Sequence, residues 1–306
     1  MKMAIAYNKD DYKLSDKSYS KNYRDMFDCL IERFDEVEHI TESCSTKADV
    51  LIYFDPHSSH HITVDSDALK YEYFNDPHQK DVFGKYTEGP FVHKLGAEQR
   101  SKRALDRGVD FAICPSKTGY DKYLKPYLGD RLFWFPVVPR KPKMSIPFLK
   151  DRKPWVIGSG HLAQGNNGFR PYDFRRWAYS QPGVSVLPHY AQNPATPVRE
   201  QYMKLLTYMA GALALCDTYV VAKYVENSLC GCLNFIQWLP ECEMLGFEDG
   251  TNCICVTKDN FEIVEEFKKD PESYQDIADA GRELMENNWT AEKFAESVYR
   301  HAEARV

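Results

Sequence analysis

The sequence predicts an α/β protein made of two doubly wound domains, each built on a parallel sheet, with a cleft between them. Strand and helix patterns alternate along the chain, which is typical of parallel sheets. The length of 306 residues suits two domains of about 150 residues each. Four prolines between Pro136 and Pro147 exclude regular structure and mark a crossing between domains. We therefore expect a first domain over 1–138, a linker over 139–154 and a second domain over 155–306, whose last helices can pack back on the first.

In the first half, apolar runs predict strands. The run at 48–54 is continuously apolar, as expected of a parallel strand covered on both faces. The predicted strands of this half are 3–7, 48–54, 71–74, 109–114 and 132–138. Helical spacing of apolar residues predicts the helices 23–34, 98–107 and 119–127.

The second half repeats this alternation. Its predicted strands are 155–158, 184–187, 212–216, 233–238 and 253–256. Its predicted helices are 172–179, 198–209, 223–229, 261–269, 271–287 and 291–304. Because open α/β sheets bind ligands beyond the carboxyl ends of their strands, the loops after strands hold the candidate site residues.

Charge is distributed unevenly along a chain whose net charge is -6. Residues 94–153 carry 15 Lys and Arg against 6 Asp and Glu, a balance of +9, and residues 241–306 carry 7 against 17, a balance of -10. A basic middle can face the phosphates of a nucleotide sugar or of a nucleic acid. The alternative is a solvated basic surface.

The nine cysteines indicate free thiols in a reducing cytoplasm, because no secretory signal precedes them. No window approaches 18 apolar residues, so we expect no membrane span. Cys230 and Cys232, like Cys253 and Cys255, are separated by one residue, which is closer than the usual zinc-ligand spacing. This spacing favours packing in the core over a metal site.

The segment from Lys223 to Leu233 carries the strongest functional signal. Lys223 and Glu226 lie one turn apart on a predicted helix, so their side chains share a face. The helix runs into a turn at Gly231 and then into an apolar strand. The lysine can meet a phosphate, and the glutamate can accept both hydroxyls of a ribose. The alternative is an exposed helix pair.

This segment, followed by Leu-Gly-Phe-Glu-Asp-Gly-Thr-Asn at 245–252, resembles the nucleotide-sugar site of GT-B glycosyltransferases. There, K-x-x-E-x-x-x-x-G precedes a small-residue turn, and the later motif is similar to group 1 members related to CgeB-type proteins. The resemblance covers 150–306 and, more weakly, the first half. It implies a GT-B fold with two Rossmann-like domains, of which the second binds a nucleotide diphosphate sugar. Many retaining members carry a further Glu eight residues earlier, where this chain has Thr218, so the stereochemistry stays open.

Two further segments belong to the predicted donor site. The glycines of Gly158-Ser159-Gly160 let backbone N–H groups approach a phosphate, although a flexible turn is the alternative. The run Phe-Arg-Pro-Tyr-Asp-Phe-Arg-Arg-Trp at 169–177 resembles a family segment in which a basic residue holds the diphosphate. The resemblance points to Arg170 or Arg175 without choosing between them.

The loop before the last strand of the second half is a third candidate for the donor site. Asp249, Gly250 and Asn252 either line the donor pocket or form an Asp-Gly turn.

The predicted acceptor site lies in the first half, where Asp-Pro-His follows two strands. Asp76 and His78 are the preferred catalytic residues and His57 is the next, because a transferase that inverts needs a general base for the acceptor hydroxyl. The triplet also resembles a segment of CgeB-like N-terminal domains.

The resemblance therefore implies a glycosyltransferase, with a UDP-sugar as the expected co-substrate. No metal or other cofactor is expected, because Arg, Lys and helix N-termini can neutralise the diphosphate. The basic band and its aromatic residues suit a nucleic acid, so the leading acceptor is a hydroxymethylated pyrimidine in double-stranded phage DNA, which would place the protein in the host cytoplasm. A glycan, a protein side chain or a small molecule is the alternative acceptor.

Two other classes of protein stay open. One is a non-catalytic nucleotide-binding module, and the other is an NAD-type oxidoreductase, which the incomplete G-x-G-x-x-G pattern disfavours.

Overall fold

A computed structural model describes residues 1–8, 21–54, 62–75, 95–160, 162, 170–187 and 199–306 of the chain. Within these residues the protein has two large sheets, one of six strands and one of five, and a separate two-stranded pair. Every strand pairing in the two large sheets is parallel. The predicted α/β fold with two parallel sheets is confirmed.

The first sheet has the order β2-β1-β4-β6-β7-β8. Its strands are β1 (Lys2–Ala6), β2 (Glu36–Ile40), β4 (Val50–Tyr53), β6 (Leu69–Tyr73), β7 (Phe111–Cys114) and β8 (Leu132–Trp134), and the small pair is β3 (Cys44–Ser45) with β5 (Val64–Asp65). The helices of this half are α1 (Lys21–Arg33), α2 (Ala97–Asp106), α3 (Lys117–Gly119) and α4 (Lys125–Leu128), with a π-helical segment (Tyr120–Leu124) between the last two.

Both faces of the first sheet are covered, as its apolar strands require. On β1, Met3 and Ile5 belong to the core cluster that contains the buried residues of α1. Ala4 and Ala6 point to the opposite face and pack in a second cluster with residues of α2. Successive side chains of a strand point to opposite faces, so a strand covered on both sides is apolar throughout.

The second sheet has the order β10-β9-β11-β12-β13. Its strands are β9 (Lys153–Gly158), β10 (Val184–Val186), β11 (Met209–Ala214), β12 (Leu233–Ile236) and β13 (Ile254–Cys255). The helices of this half are α5 (Asp173–Ala178), α6 (Arg199–Leu206), α7 (Lys223–Leu229), α8 (Pro240–Leu245), α9 (Ile263–Lys269), α10 (Gln275–Asn288) and α11 (Ala291–Glu303), and a 3₁₀ turn (Pro271–Tyr274) precedes α10.

The last helix, α11, lies against the first half of the chain. Glu296 forms an ion pair of 2.5 Å with Arg33 of α1, whose guanidinium also covers the ring of Tyr299. The hydroxyl of Tyr71 on β6 lies 2.6 Å from Nδ1 of His301. Buried residues of α11 and of α1 belong to one core cluster, so the C-terminal helix fixes the two halves relative to each other.

Several element predictions needed correction. The helix predicted over 198–209 ends at Leu206, and Met209 already opens β11, whose Ala and Gly residues carry little hydrophobic pattern. The helix predicted over 119–127 is interrupted, because Pro126 lacks the N–H that a continuous helix needs. Strand β2 was missed because its residues are mostly half-buried or exposed, as on a sheet edge. No helix of the described residues is long and apolar enough to cross a membrane.

Candidate functional site

The strand order of the second sheet reverses between β9 and β11, because the chain builds outward from β9 in both directions. In doubly wound sheets the crevice at such a reversal is where ligands bind. Gly158 ends β9 and Ala214 ends β11 at this edge. The residues that follow these two strands are therefore the first candidates for a site.

The turn Gly158-Ser159-Gly160 is tightly held at the end of β9. The hydroxyl of Tyr179 donates to the carbonyl of Ser159 at 2.6 Å, and Oγ of Ser159 lies 2.8 Å from the hydroxyl of Tyr202. A Cβ on Gly158 would lie only 2.5 Å from the ring of Tyr179, so only glycine fits there. This turn is packed and is not a flexible connection.

Arg175 of α5 reaches the end of the neighbouring strand. Its Nε donates a 2.7 Å hydrogen bond to the carbonyl of Leu215, directly after β11, and its guanidinium lies over the ring of Tyr172. The residue is 3% exposed. Burial acts to lower the pKa of this guanidinium, but the phenol of Tyr179 and other neighbours more than offset it, so the pKa is raised. Arg175 is therefore a fixed, desolvated positive charge at the reversal point.

Gly160 brings this arginine together with Lys223, the first residue of α7. A Cβ on Gly160 would lie 3.1 Å from Nη1 of Arg175 and 3.3 Å from Cε of Lys223. The backbone of Gly160 has φ +117, which side-chain-bearing residues rarely adopt. The two side chains therefore place two positive charges beside one glycine backbone. The arrangement is suited to bind a phosphate or diphosphate.

Arg170, the other predicted diphosphate ligand, is exposed and does not belong to this group. The structure therefore favours Arg175 of the two arginines.

Glu226 lies one turn after Lys223 and is fully buried. Its Oε1 accepts a 2.6 Å hydrogen bond from Nδ2 of Asn22, at the start of α1 in the first half. The glutamate thus lies where the two halves meet, and not on an exposed helix face. Thr218, at the position of the further Glu in many retaining enzymes, follows β11 by four residues and is half-buried.

A second carboxylate at this edge was missed by the sequence interpretation. Glu241, in the first turn of α8 after β12, is 1% exposed. Its Oε1 accepts from the backbone N–H of Thr118 at 2.9 Å and from Oγ1 of the same residue at 2.5 Å. Thr118 belongs to α3 in the first half. The signal was present, since an acidic residue follows the carboxyl end of a predicted strand by a few positions.

Asp217 and Gln237 are two further polar residues at the carboxyl edge of the second sheet. Neither was singled out from the sequence. Nε2 of Gln237 donates to Oδ1 of Asp217 at 2.8 Å, and Oδ2 of Asp217 accepts from the N–H of Phe174 in the helix that carries Arg175. The hydroxyl of Tyr224 donates to the carbonyl of Gln237. These bonds connect the loops that follow β11 and β12.

The predicted residues Asp249, Gly250 and Asn252 form a turn. Oδ1 of Asp249 accepts from the N–H of Cys255, and Asn252 bonds the backbone of Glu248 and Gly246 with its side chain. This loop leads into β13, so it lies at the amino edge of the parallel sheet. This loop does not contact the group around Gly160. Of the two interpretations of Asp249, Gly250 and Asn252, the structure therefore shows the Asp-Gly turn and not a lining of the donor pocket.

The predicted acceptor residues His57, Asp76 and His78 lie outside the described residues. The described residues that precede them in the sequence lie at the carboxyl ends of two strands. Phe54 follows β4 and Asn75 follows β6, which are adjacent strands of the first sheet. Asn75 is 2% exposed, and its carbonyl accepts a 2.8 Å hydrogen bond from Arg100.

The paired cysteines pack in the core. The thiols of Cys230 and Cys232 are fully buried and donate to the carbonyls of Met203, Leu206 and Met209. Burial raises the pKa of Cys232 to about 12, which disfavours the thiolate that a metal would need. Within the described part of the chain, no group of three or more His, Cys, Asp or Glu could hold a metal ion.

No protein-family model matches the sequence, and no curated protein matches it. Solved structures match its fold over nearly the whole chain. A sucrose-phosphate synthase from Thermosynechococcus elongatus is 8% identical, with a TM-score of 0.57 over 100% of both chains. HepE of Anabaena, in complex with UDP and glucose, is 11% identical, with a TM-score of 0.54 over 99% of this chain and 100% of that one. The DNA-modifying enzyme β-glucosyltransferase, solved with and without its substrate uridine diphosphoglucose, is 12% identical, with a TM-score of 0.56 over 99% of each chain.

The protein has the GT-B fold. This confirms the fold that the resemblance implied, with one doubly wound sheet in each half. The chain also spans about half the length of longer matching structures, with 54% of TarM covered at a TM-score of 0.48.

In this GT-B fold, the hydrogen bonds Asn22–Glu226 and Thr118–Glu241 cross between the halves. Asn22 and Thr118 each lie in the first turn of a helix, after β1 and after β7. Both carboxylates follow carboxyl ends of strands in the second sheet. The carboxyl edges of the two sheets therefore face each other, and the cation group around Gly160 lies on the second side of the cleft.

At least seven of the fourteen described basic residues of the band 94–153 form ion pairs within the fold. Its ion pairs include Arg103 and Arg107 with Glu72, Lys125 with Asp130, Arg140 with Glu32, Lys141 with Glu286 and Lys150 with Glu272. The partners of Lys141 and Lys150 belong to the acidic C-terminal segment. Among the described residues of the band, the exposed lysines that form no ion pair are Lys102, Lys122, Lys143 and Lys153. Two ion pairs therefore connect the basic band to the acidic C-terminal segment.

Proposed function

We propose that the protein is a glycosyltransferase that moves a sugar from a nucleotide diphosphate sugar, in the first instance a UDP-sugar, to an acceptor hydroxyl. The observation that carries this proposal is the meeting of Arg175 and Lys223 at the backbone of Gly160, at the point where the second sheet reverses its strand order. A diphosphate is the ligand that this geometry suits. The UDP and uridine diphosphoglucose complexes of two proteins with the same fold support it.

Each residue of this group has a role in the proposal. Arg175 and Lys223 stabilise the charge that develops on the diphosphate as the glycosidic bond breaks, in a position where burial strengthens the interaction. Glu226 accepts hydrogen bonds from the ribose hydroxyls. Because the two cations neutralise the leaving group, we propose that no metal ion takes part. Activity should then survive an excess of EDTA.

On the acceptor side we propose that His78 acts as the general base, with Asp76 as its carboxylate partner and His57 as the next candidate. The support is their place in the sequence, directly after adjacent strands of the first sheet. A base positioned at the acceptor hydroxyl contributes about 10²–10⁴-fold to the rate.

For the acceptor we propose a hydroxymethylated pyrimidine in double-stranded DNA. The fold shared with a DNA-modifying β-glucosyltransferase supports this choice, and so do the exposed lysines of the basic band. The internal ion pairs of that band leave few charges for phosphates. We therefore expect a shallow salt dependence of DNA binding, because each phosphate neutralised adds about -0.9 to the slope.

The donor is tested with a panel of UDP-sugars, by thermal shift and by release of UDP. A ligand at a hundred times its Kd adds about 2.7 kcal/mol to the free energy of unfolding. Stabilisation together with UDP release supports the transferase. Stabilisation without UDP release under any condition identifies a non-catalytic nucleotide-binding module. The absence of both contradicts the proposal.

The acceptor is tested by incubating the protein with UDP-sugars and with either hydroxymethylated or unmodified duplex, followed by digestion and mass spectrometry of the nucleosides. A hexose or pentose increment on the modified base alone supports the DNA acceptor. UDP release without any increment contradicts it and leaves a glycan, a protein or a small molecule as the acceptor.

A further inference from the structure

The loop after β12 contains two buried oxygen atoms with no hydrogen-bond donor among the described residues, Oε2 of Glu241 and Oε1 of Gln237. The orientation of Gln237 is fixed, because its Nε2 must face the carboxylate of Asp217. The carboxylate of Glu241 is held in the same way, since Thr118 donates to its other oxygen twice. Neither oxygen can find a donor by rotation without breaking these bonds.

Gln237 is connected to the proposed diphosphate group by hydrogen bonds. Gln237 bonds Asp217, which in turn bonds the backbone of the helix that carries Arg175. The carbonyl of Gln237 accepts from Tyr224, the neighbour of Lys223. Glu241 follows four residues later and faces the first half across the cleft. The loop therefore lies between the diphosphate group and the half that would present the acceptor.

A buried acceptor without a donor is unfavourable, and proteins rarely keep one that has no use. Two such acceptors four residues apart suit a ligand with several hydroxyl groups, since a hydroxyl is a small, uncharged donor. A metal ion is a poor alternative, because the described residues contain no cluster of ligands for one.

We propose that Glu241 binds a hydroxyl of the transferred sugar through Oε2, with Gln237 accepting from a neighbouring hydroxyl, while Thr118 holds the carboxylate in place. This proposal rests on the proposed function. Oε2 is closed to solvent in this structure, so the sugar enters with the cleft open and the Thr118–Glu241 contact forms behind it. Binding of the sugar by Glu241 is then coupled to closure of the cleft between the two halves.

The test compares Glu241→Leu with Glu243→Leu, an exposed glutamate on the same helix. The readouts are UDP release from UDP-glucose, UDP-galactose, UDP-xylose and UDP-N-acetylglucosamine, the Kd of UDP alone, and the melting temperature. We expect Glu241→Leu to lower kcat/KM for the best sugar by about 10- to 100-fold, the loss of one hydrogen bond to a charged group. The Kd of UDP should change less than about twofold, because UDP carries no transferred sugar.

A purely structural Glu241 gives a different result. Glu241→Leu then lowers the melting temperature, because the N–H and the hydroxyl of Thr118 lose their acceptor, and it leaves the rate unchanged. A rate equal to that of Glu243→Leu, with UDP released by the wild type, overturns this assignment and leaves the proposed function intact. A wild type that releases UDP from none of the four sugars contradicts the proposed function and this assignment together.

Monodeoxy forms of the best UDP-sugar identify the hydroxyl. With the wild type, one deoxy sugar should react about 10- to 100-fold more slowly than the parent sugar. With Glu241→Leu, the same deoxy sugar should react as fast as the parent sugar, because the carboxylate that binds this hydroxyl is already missing. Thr118→Val should raise KM for the sugar nucleotide and leave the Kd of UDP unchanged. Equal losses for every deoxy form in both proteins contradict a specific contact.

Discussion

Nδ2 of Asn22 donates a 2.6 Å hydrogen bond to Oε1 of Glu226, which joins two residues 204 positions apart in the sequence. The bond connects the first turn of α1 in one half of the GT-B fold to α7, the helix of the proposed donor site, in the other. Both residues are completely buried. The glutamate that we propose as a ligand of the nucleotide therefore also forms a hydrogen bond to the opposite half.

We expect Glu226→Gln to weaken binding of the nucleotide, because a neutral amide is a poorer acceptor for ribose hydroxyls. The loss should be about 1.5–3 kcal/mol, the usual value for a hydrogen bond to a charged group. Calorimetry with UDP measures it. Asn22→Ala is the control, since it removes the contact between the halves and leaves the carboxylate. Equal Kd values for the two variants would assign Glu226 to the contact between the halves alone.

Arg175→Lys should lower kcat/KM by about 10²-fold or more, because in the proposed function the guanidinium that faces Gly160 stabilises the leaving diphosphate. Lysine keeps a positive charge but cannot donate from two nitrogens in one plane. Arg170→Lys, an exposed arginine in the same segment, serves as the control and should change kcat/KM little. Steady-state kinetics on folded variants decides between them, and the reverse order of effects would move the role to Arg170.

Gly160→Ala should abolish binding of UDP, whereas Gly250→Ala should not. Both glycines have positive φ, so each substitution costs about 1–2 kcal/mol of backbone strain. Only at Gly160 would the new methyl group meet Arg175 and Lys223, since nothing lies within 4 Å of a Cβ on Gly250. Melting temperatures measure the shared strain and calorimetry measures the Kd. A similar loss of affinity in both variants would show that strain, and not the methyl group, is responsible.

His78→Ala should reduce turnover by about 10²–10⁴-fold and leave the Kd of UDP unchanged, since a general base acts on the acceptor. Asp76→Asn should reduce it less, because an amide still orients the imidazole in part. Single-turnover rates with saturating donor test this, with His39→Ala, on the edge strand β2, as the control histidine. Weaker binding of UDP with full turnover would contradict the division of roles between the halves.

His301 should make the contact of the last helix depend on pH. Burial lowers the pKa of His301, and Arg305 lowers it further, so the folded state disfavours the protonated ring. The unfolded chain takes up this proton more readily, so stability falls as the pH drops below the ordinary histidine pKa of about 6.5. The loss between pH 7.5 and pH 5.5 should be smaller in His301→Gln. Urea midpoints of both proteins measure it, and equal losses would exclude His301 as the cause.

Parts of the proposed donor site could be predicted because they are local in the sequence. Lys223 and Glu226 share a helix whose bounds agree with the prediction, and helical spacing alone places them on one face. The turn of Gly158 and Gly160 follows a clear apolar strand. Glu241 was missed because its role depends on Thr118, which lies 123 residues earlier and carries no pattern of its own.

The sequence by itself determined the alternation of strands and helices and the local glycine and helix motifs. These follow from short-range sterics and from the apolar pattern of each element. Only the tertiary structure decided that Arg175 and not Arg170 meets Lys223, that the Asp249 loop lies at the other edge of the sheet, and that Lys141 and Lys150 of the basic band pair with the acidic end of the chain. Those facts depend on which strand ends become neighbours, and strand order is set by packing between segments that are far apart in the sequence.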